Sequence, residues 1–322
     1  QGGHKAICQE IKRGGGAEQY HADKKCVEAV AAAVEKCADD TKGQTCYICT
    51  QALHWKTKEG LVRGCACRGT AGFAHVSCLA EQAKILYAEA EENNLDDDVF
   101  YERFKRWYAC SLCEQDYHGV VRCALGWACW KMYLGRPEED YARRMAMNAL
   151  GNGIFETDQY ADALPVRKAE LATLQRLGAP EDLILATQSN LASNYEMVGR
   201  REEALSMFQE VYSGDLRLYG EKHPQTLLAA NNYANSFTAL RRFVEAKSLL
   251  RQMIPVARRV LGEGDRIALT MRKAFAEASY KNPGATLDDL REAVATLEET
   301  TRTARRVLGG AHPLVLALEG SM

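Results

Sequence analysis

Seven cysteines and one histidine stand in four close pairs: Cys46-x2-Cys49, Cys65-x-Cys67, His75-x2-Cys78 and Cys110-x2-Cys113. Thiolate sulfur and imidazole nitrogen are donors that zinc prefers. A C-x2-C turn aims two sulfurs at one ion, so four pairs supply two closed tetrahedra. A closed tetrahedron leaves no position open for substrate, so the chemistry expected of the two zinc ions is structural, with no catalytic residue of their own. The stretch from Cys46 to Cys113 has no long apolar periodic run from which to build a core. Metal binding must therefore supply folding free energy, about 10–16 kcal/mol per ion in small finger peptides. Disulfides are the alternative, but no secretory signal is visible, and in a reducing compartment this spacing means metal. His54, before Trp55, and His118, after Tyr117, read as loop and turn residues and not as ligands.

The order of the ligands, the single residue between Cys65 and Cys67, the seven residues from Cys67 to His75 and the string GCACRGTAGFAHVSCL resemble the RING-CH (RING-variant) zinc finger. PHD fingers share the ligand order, and Tyr108, two residues before Cys110, occupies an aromatic position that they also use. They place more residues between the third and fourth ligands and fewer before the histidine. The RING-CH resemblance implies a cross-brace, in which Cys46, Cys49, His75 and Cys78 hold one zinc and Cys65, Cys67, Cys110 and Cys113 the other. It also implies a ubiquitin ligase that holds a charged conjugating enzyme beside a substrate. Ile48 would then touch the conjugating enzyme, with Trp107 as a second contact or as a cover over the metal site. A non-catalytic scaffold whose finger binds a peptide in PHD-like fashion is the other reading.

Two departures bear on activity. Cys78 and Cys110 are separated by 31 residues, in which Leu79, Ala83, Leu86 and Ala90 keep a helical period and Asp96-Asp97-Asp98 reads as a turn, so an inserted helical hairpin is expected. After Cys113 stands Glu114, where active RING fingers often carry a cation that clamps ubiquitin.

Beyond residue 118 the chain turns into helix formers with a recurring unit of about 42 residues. LYGEKHP (218–224), VLGEGDR (260–266) and VLGGAHP (307–313) close successive units, and RLGAPED (176–182) is a looser copy. Asn190-Leu191-Ala192 with Tyr195 aligns with Asn232-Tyr233-Ala234 with Phe237, and Glu203-Ala204 with Glu245-Ala246. Five extra residues near Lys281-Asn282-Pro283-Gly284 lengthen the third unit, and GRPEED (135–140) echoes GRREEA (199–204). One helical hairpin cannot bury its apolar face alone, so the units must stack. The pattern resembles tetratricopeptide repeats of the kinesin-light-chain-like kind. That resemblance implies a groove holding a protein or peptide substrate, with Asn190, Asn194, Asn232 and Asn235 bonding its backbone. Bonding between neighbouring helices is the other role open to these asparagines. Arg200, Arg201, Arg241 and Arg242 read as solvated turn residues.

The fold class expected is mainly α: a segment at 1–40, a two-zinc finger with a helical insertion at 41–118, and a repeat solenoid at 119–322. Apolar residues make up 47% of the 322, enough for a real core. A net charge of −2 argues against nucleic-acid or membrane-surface partners, which usually demand a basic excess. No run of about 18 apolar residues is present, so no membrane anchor is expected. The cytoplasm, or else the nucleus, is the expected compartment. His4-x3-Cys8 resembles the last two ligands of a MYND finger, and the chain opens on Gln1, as a fragment would. Gly14-Gly15-Gly16 reads as a flexible break before a helix over 21–37. Cys26, Cys37, Cys123 and Cys129 are expected in apolar cores.

Overall fold

A computed structural model of the chain describes residues 11–12, 15–310 and 312–321. The MYND-like His4 and Cys8 lie outside them. The chain divides into two compact units, one up to Thr173 and one from Leu174.

The first unit opens with α1 (Ala17–Cys37), four residues longer at its start than the sequence predicts, because it begins directly after Gly16 at φ 110°. Ala22, Cys26, Ala33 and Cys37 form its buried face, at the spacing a helix requires. Residues 46–75 are loops joined by one isolated antiparallel bridge, Val62 to Ala74. The expected insertion follows as α2 (Val76–Glu92) and α3 (Asp97–Phe104), then a 3-10 turn (Lys105–Trp107). Helices α4 (Gly119–Tyr133), α5 (Tyr141–Phe155) and α6 (Tyr160–Arg176) complete the sequence of elements there.

The metal-ligand segment does not stand as a separate body. Leu61, Val62, Phe73, Val76, Leu79 and Tyr117 share a core with Ala33 and Cys37 of α1 and with Val121, Ala124 and Leu125 of α4. A Cβ on Gly64 would lie 2.5 Å from Val121 Cβ, so only glycine lets this loop approach α4 so closely. The insertion has its own packing partner: Tyr87, Phe104 and Trp107 bury with Ala128, Cys129 and Tyr133 of α4 and with Ala142 and Ala146 of α5. All four cysteines assigned to cores are buried free thiols.

In the second unit α7 (Glu181–Met197), α8 (Arg201–Tyr219), α9 (Pro224–Ala239), α10 (Phe243–Leu261), α11 (Arg266–Tyr280) and α12 (Leu287–Leu308) pair as successive hairpins, ending in α13 (Pro313–Glu319). The recurring heptapeptide is the joint between hairpins. Gly220, Gly262 and Gly309, at φ 80°, 93° and 83°, end one helix. His223, Asp265 and His312 then cap the next, each side chain accepting the backbone N–H two residues on. The extra residues of the third unit are shared out: α12 spans 22 residues against 19 in α10, and the rest lengthen the preceding loop.

Among the described residues no strand is present and no helix is long and apolar enough to cross a membrane.

Candidate functional site

The four ligand pairs converge in interleaved order. Cys46, Cys49, His75 and Cys78 form one cluster and Cys65, Cys67, Cys110 and Cys113 the other, with donor atoms in each all within 4.8 Å of one another. The separations test what fits between them. Two sulfurs at about 2.3 Å from a tetrahedral ion lie about 3.8 Å apart, and a sulfur–nitrogen edge is about 3.5 Å. Cys67 and Cys110 sulfurs are 3.8 Å apart, and His75 Nδ1 is 3.3 Å from Cys49 Sγ and 3.5 Å from Cys78 Sγ. The donor sets thus fit tetrahedral ions, and this is a metal-binding, zinc-finger-type centre.

Local chain geometry explains the convergence. Cys46 and Cys110 open two knuckles of identical pattern. The cysteine N–H donates to the carbonyl of Gln51 or Gln115, and its carbonyl accepts from Thr50 or Glu114. Its sulfur receives the N–H of Ile48 or Leu112 at 3.4 Å. Thr50 and Glu114 close the turns at φ 62° and 55°, a left-handed conformation that is costly for both and especially for β-branched threonine. His75 directly precedes α2 and Cys78 lies in the first turn of that helix. The other ring nitrogen of His75, Nε2, faces the Ala52 carbonyl at 3.4 Å, which leaves Nδ1 for the metal. Tyr47 and Ser111 hydroxyls, 3.2 Å apart, tie the two knuckles together.

Crowding of sulfurs sets the protonation pattern. The Cys110 thiol, hydrogen-bonded by Cys65 and by backbone N–H groups, is lowered to about 4. Burial, with its hydrogen bond to Cys113 and the Cys110 charge adding, pushes Cys67 up to about 11. Hydrogen bonding to Cys110 and burial raise Cys65 far beyond the usual thiol range.

Gly72 is a supporting residue that the sequence reading missed. A Cβ there would lie 2.6 Å from Cys67 Cβ and about 3 Å from two ligand sulfurs, and its φ is +82°. Two glycines, Gly69 and Gly72, stand between Cys67 and His75, and only folding decides which of them meets the sulfurs.

Other expected positions divide. Ile48 is 37% exposed on the first knuckle. Trp107 is 1% exposed, packed against Tyr133 with ring centroids 5.8 Å apart. It can offer no surface to a conjugating enzyme, because the insertion folds it inward. Glu114 is held by Arg106 at 2.8 and 2.9 Å. His54 is buried, its Nδ1 accepting the Thr57 N–H, and it joins neither cluster; His118 directly precedes α4 without a capping hydrogen bond from its side chain.

In the second unit Asn190 and Asn232 line a cavity of about 280 Å3 with Ser189, Ser193, Asp182 and Tyr219. Asn232 also donates to Ser189 Oγ at 3.3 Å, bridging neighbouring hairpins. Asn235 is exposed on a separate cavity of about 760 Å3 beside Arg201, Arg241, Lys273 and Lys281. Asn194 is 1% exposed and donates to the Asn190 carbonyl at 3.0 Å, so it faces the helix packing and not the groove.

Residues 46–95 match the RING-variant domain family, and residues 142–217 and 183–259 match the tetratricopeptide repeat family. Similar solved structures include two of nearly identical TPR-like repeats from Podosopora anserina, described as those of a kinesin light chain. One of them, a point variant, is 18% identical at TM-score 0.45, covering 73% of this chain and 98% of its own. The other is 18% identical at TM-score 0.46, covering 72% and 97%. BtubC (BKLC) from P. vanneervenii is 15% identical at TM-score 0.45, covering 76% and 84%. No curated protein matches the chain. The RING-variant match stops within the insertion, before Cys110 and Cys113, which the fold returns to the second cluster. The chain carries a RING-variant zinc finger followed by tetratricopeptide repeats.

Proposed function

We propose that the finger holds two zinc ions and recruits a ubiquitin-conjugating enzyme, while the repeat groove around Asn190 and Asn232, with Asn235 beside it, holds a protein substrate. The observation that carries this reading is the pair of matching knuckles. Exposed Ile48 and Leu112 stand at equivalent positions on two turns joined by the Tyr47–Ser111 contact, one on the knuckle of each cluster. Catalysis would be by proximity, bringing a thioester and an acceptor lysine together so that attack becomes effectively intramolecular. Cysteines spaced as metal ligands, with no disulfide among the eleven described, suit a reducing compartment, the cytoplasm or nucleus.

A second reading, a scaffold that transfers nothing, is favoured by Glu114. Its carboxylate is committed to Arg106, so the position after Cys113 presents an ion pair in place of a free cation. Autoubiquitination with a panel of conjugating enzymes separates the two. Chain formation by the wild type, reduced at least tenfold in Ile48→Ala with zinc content unchanged, supports the ligase. A zinc-loaded wild type inactive with every enzyme supports the scaffold.

A further inference from the structure

The insertion does more than lengthen the finger. Between α2, α3 and the start of α5 lies a cavity of about 510 Å3, lined by Tyr87, Phe100 and Tyr141 and by Glu91, Asp97 and Asp140. Aromatic faces and carboxylates together are the surroundings in which an organic cation is most stable outside water, because ring quadrupole and formal charge act in the same direction. The chain already places one cation here. The Arg136 guanidinium lies 5.9 Å from the Tyr87 ring and 5.0 Å from Tyr133, and it pairs with Glu91 at 2.5 and 2.8 Å and with Asp140 at 3.3 Å.

What remains is selective. Asp140 is further occupied in capping α5 through the Arg143 N–H at 3.0 Å, and Arg144 lies 5.8 Å from the Tyr141 ring. Asp97, in the first turn of α3, forms no ion pair among the described residues. Tyr141 is 36% exposed and Phe100 half-buried, so their rings border the opening. With Glu91 and Asp140 paired to Arg136, Asp97 is the carboxylate at the opening left without an ion pair among the described residues. A primary ammonium seeks several strong acceptors, and two of the three carboxylates are taken. An alkylated ammonium carries its charge without that demand and gains from ring contact. We propose that this cavity binds the methylated ammonium of a lysine side chain on a protein partner, with Tyr141 and Phe100 as ring contacts and Asp97 as counter-charge. The proposal does not rest on the ligase reading, since no residue of the knuckles takes part.

Calorimetric titration of the full zinc-loaded chain with a basic peptide, carrying one central lysine either unmodified or trimethylated, tests it. We expect saturable binding of the trimethylated form, at least fivefold tighter than the unmodified one. Binding should weaken about tenfold in Tyr141→Ala and in Asp97→Asn and be retained in Tyr141→Phe. Unchanged zinc content and melting temperature of these exposed-site variants separate lost binding from lost fold. The proposal is overturned by absence of saturable binding at millimolar peptide. Affinity that ignores methylation, or that survives Tyr141→Ala, overturns it equally.

Discussion

Ligand protonation governs the metal centre at the scale of single residues. A thiol must give up its proton to bind zinc. Cys67, pushed up to about 11, and the still higher Cys65 are protonated at neutral pH in the metal-free protein, whereas Cys110, lowered to about 4, is ionised. The metal-bound state thus carries fewer protons than the free one, and lowering the pH favours the free state. Zinc affinity should fall continuously from pH 8 to pH 5, and unbuffered titration with zinc should acidify the solution by more than one proton per ion; pH-independent affinity would contradict this. Gly72 acts at the same scale. In Gly72→Ala the new Cβ meets Cys67 at 2.6 Å, in a backbone conformation that L-residues avoid. Native mass spectrometry should find fewer than two zinc ions per chain, the second cluster losing its ion first.

Individual elements show why the repeat signature takes its form. The heptapeptide joint needs a left-handed glycine to end one helix and a capping side chain to begin the next, and the histidine or aspartate meets the second requirement. His223→Ala removes the group that accepts the Gln225 N–H at 3.2 Å and should destabilise the second unit by about 1 kcal/mol. His223→Asp, which restores an acceptor as Asp265 does, should recover most of it, measured by urea denaturation. The paired arginines are not simply solvated. Arg200 lies 4.3 Å from the Tyr195 ring and pairs with Glu203, and at the same offset Arg242 lies 4.7 Å from Phe237 and pairs with Glu245 at 2.9 Å. Each closes its hairpin by joining the end of one helix to the start of the next. Arg201 and Arg241 instead border the larger cavity.

For the molecule as a whole, the shared core around the finger matters most. Because Leu61, Phe73 and Tyr117 pack with α1 and α4, metal removal should release more than the loops. Chelation is expected to expose the thiol of Cys37, which lies in that core, to a thiol reagent and to lower the melting temperature of the first unit. The second unit, which contains no ligand, should keep its helical signal and melt in a separate, unshifted transition. A single transition shifted throughout, or a Cys37 thiol that stays protected after complete zinc loss, would contradict it.

The sequence by itself determined which eight residues are the metal ligands, that the insertion is helical, and where the hairpins join, while the sorting of those ligands into two interleaved sets was what the RING-CH resemblance implied. All three follow from local chemistry: ligand spacing, apolar periodicity, and the glycine-to-cap joint. Only the tertiary structure decided the rest. Spacing cannot tell an exposed aromatic from a buried one, so Trp107 stood open between a surface contact and a cover over the metal site, and packing against α4 and α5 decides its burial. Asn194 and Asn190 share one helix and one residue type, and only the packing of neighbouring helices turns the first inward and the second toward a cavity. The Glu114–Arg106 pair, the Gly72 contact and the aromatic cavity each join residues whose proximity arises from folding, across separations that no periodic pattern records.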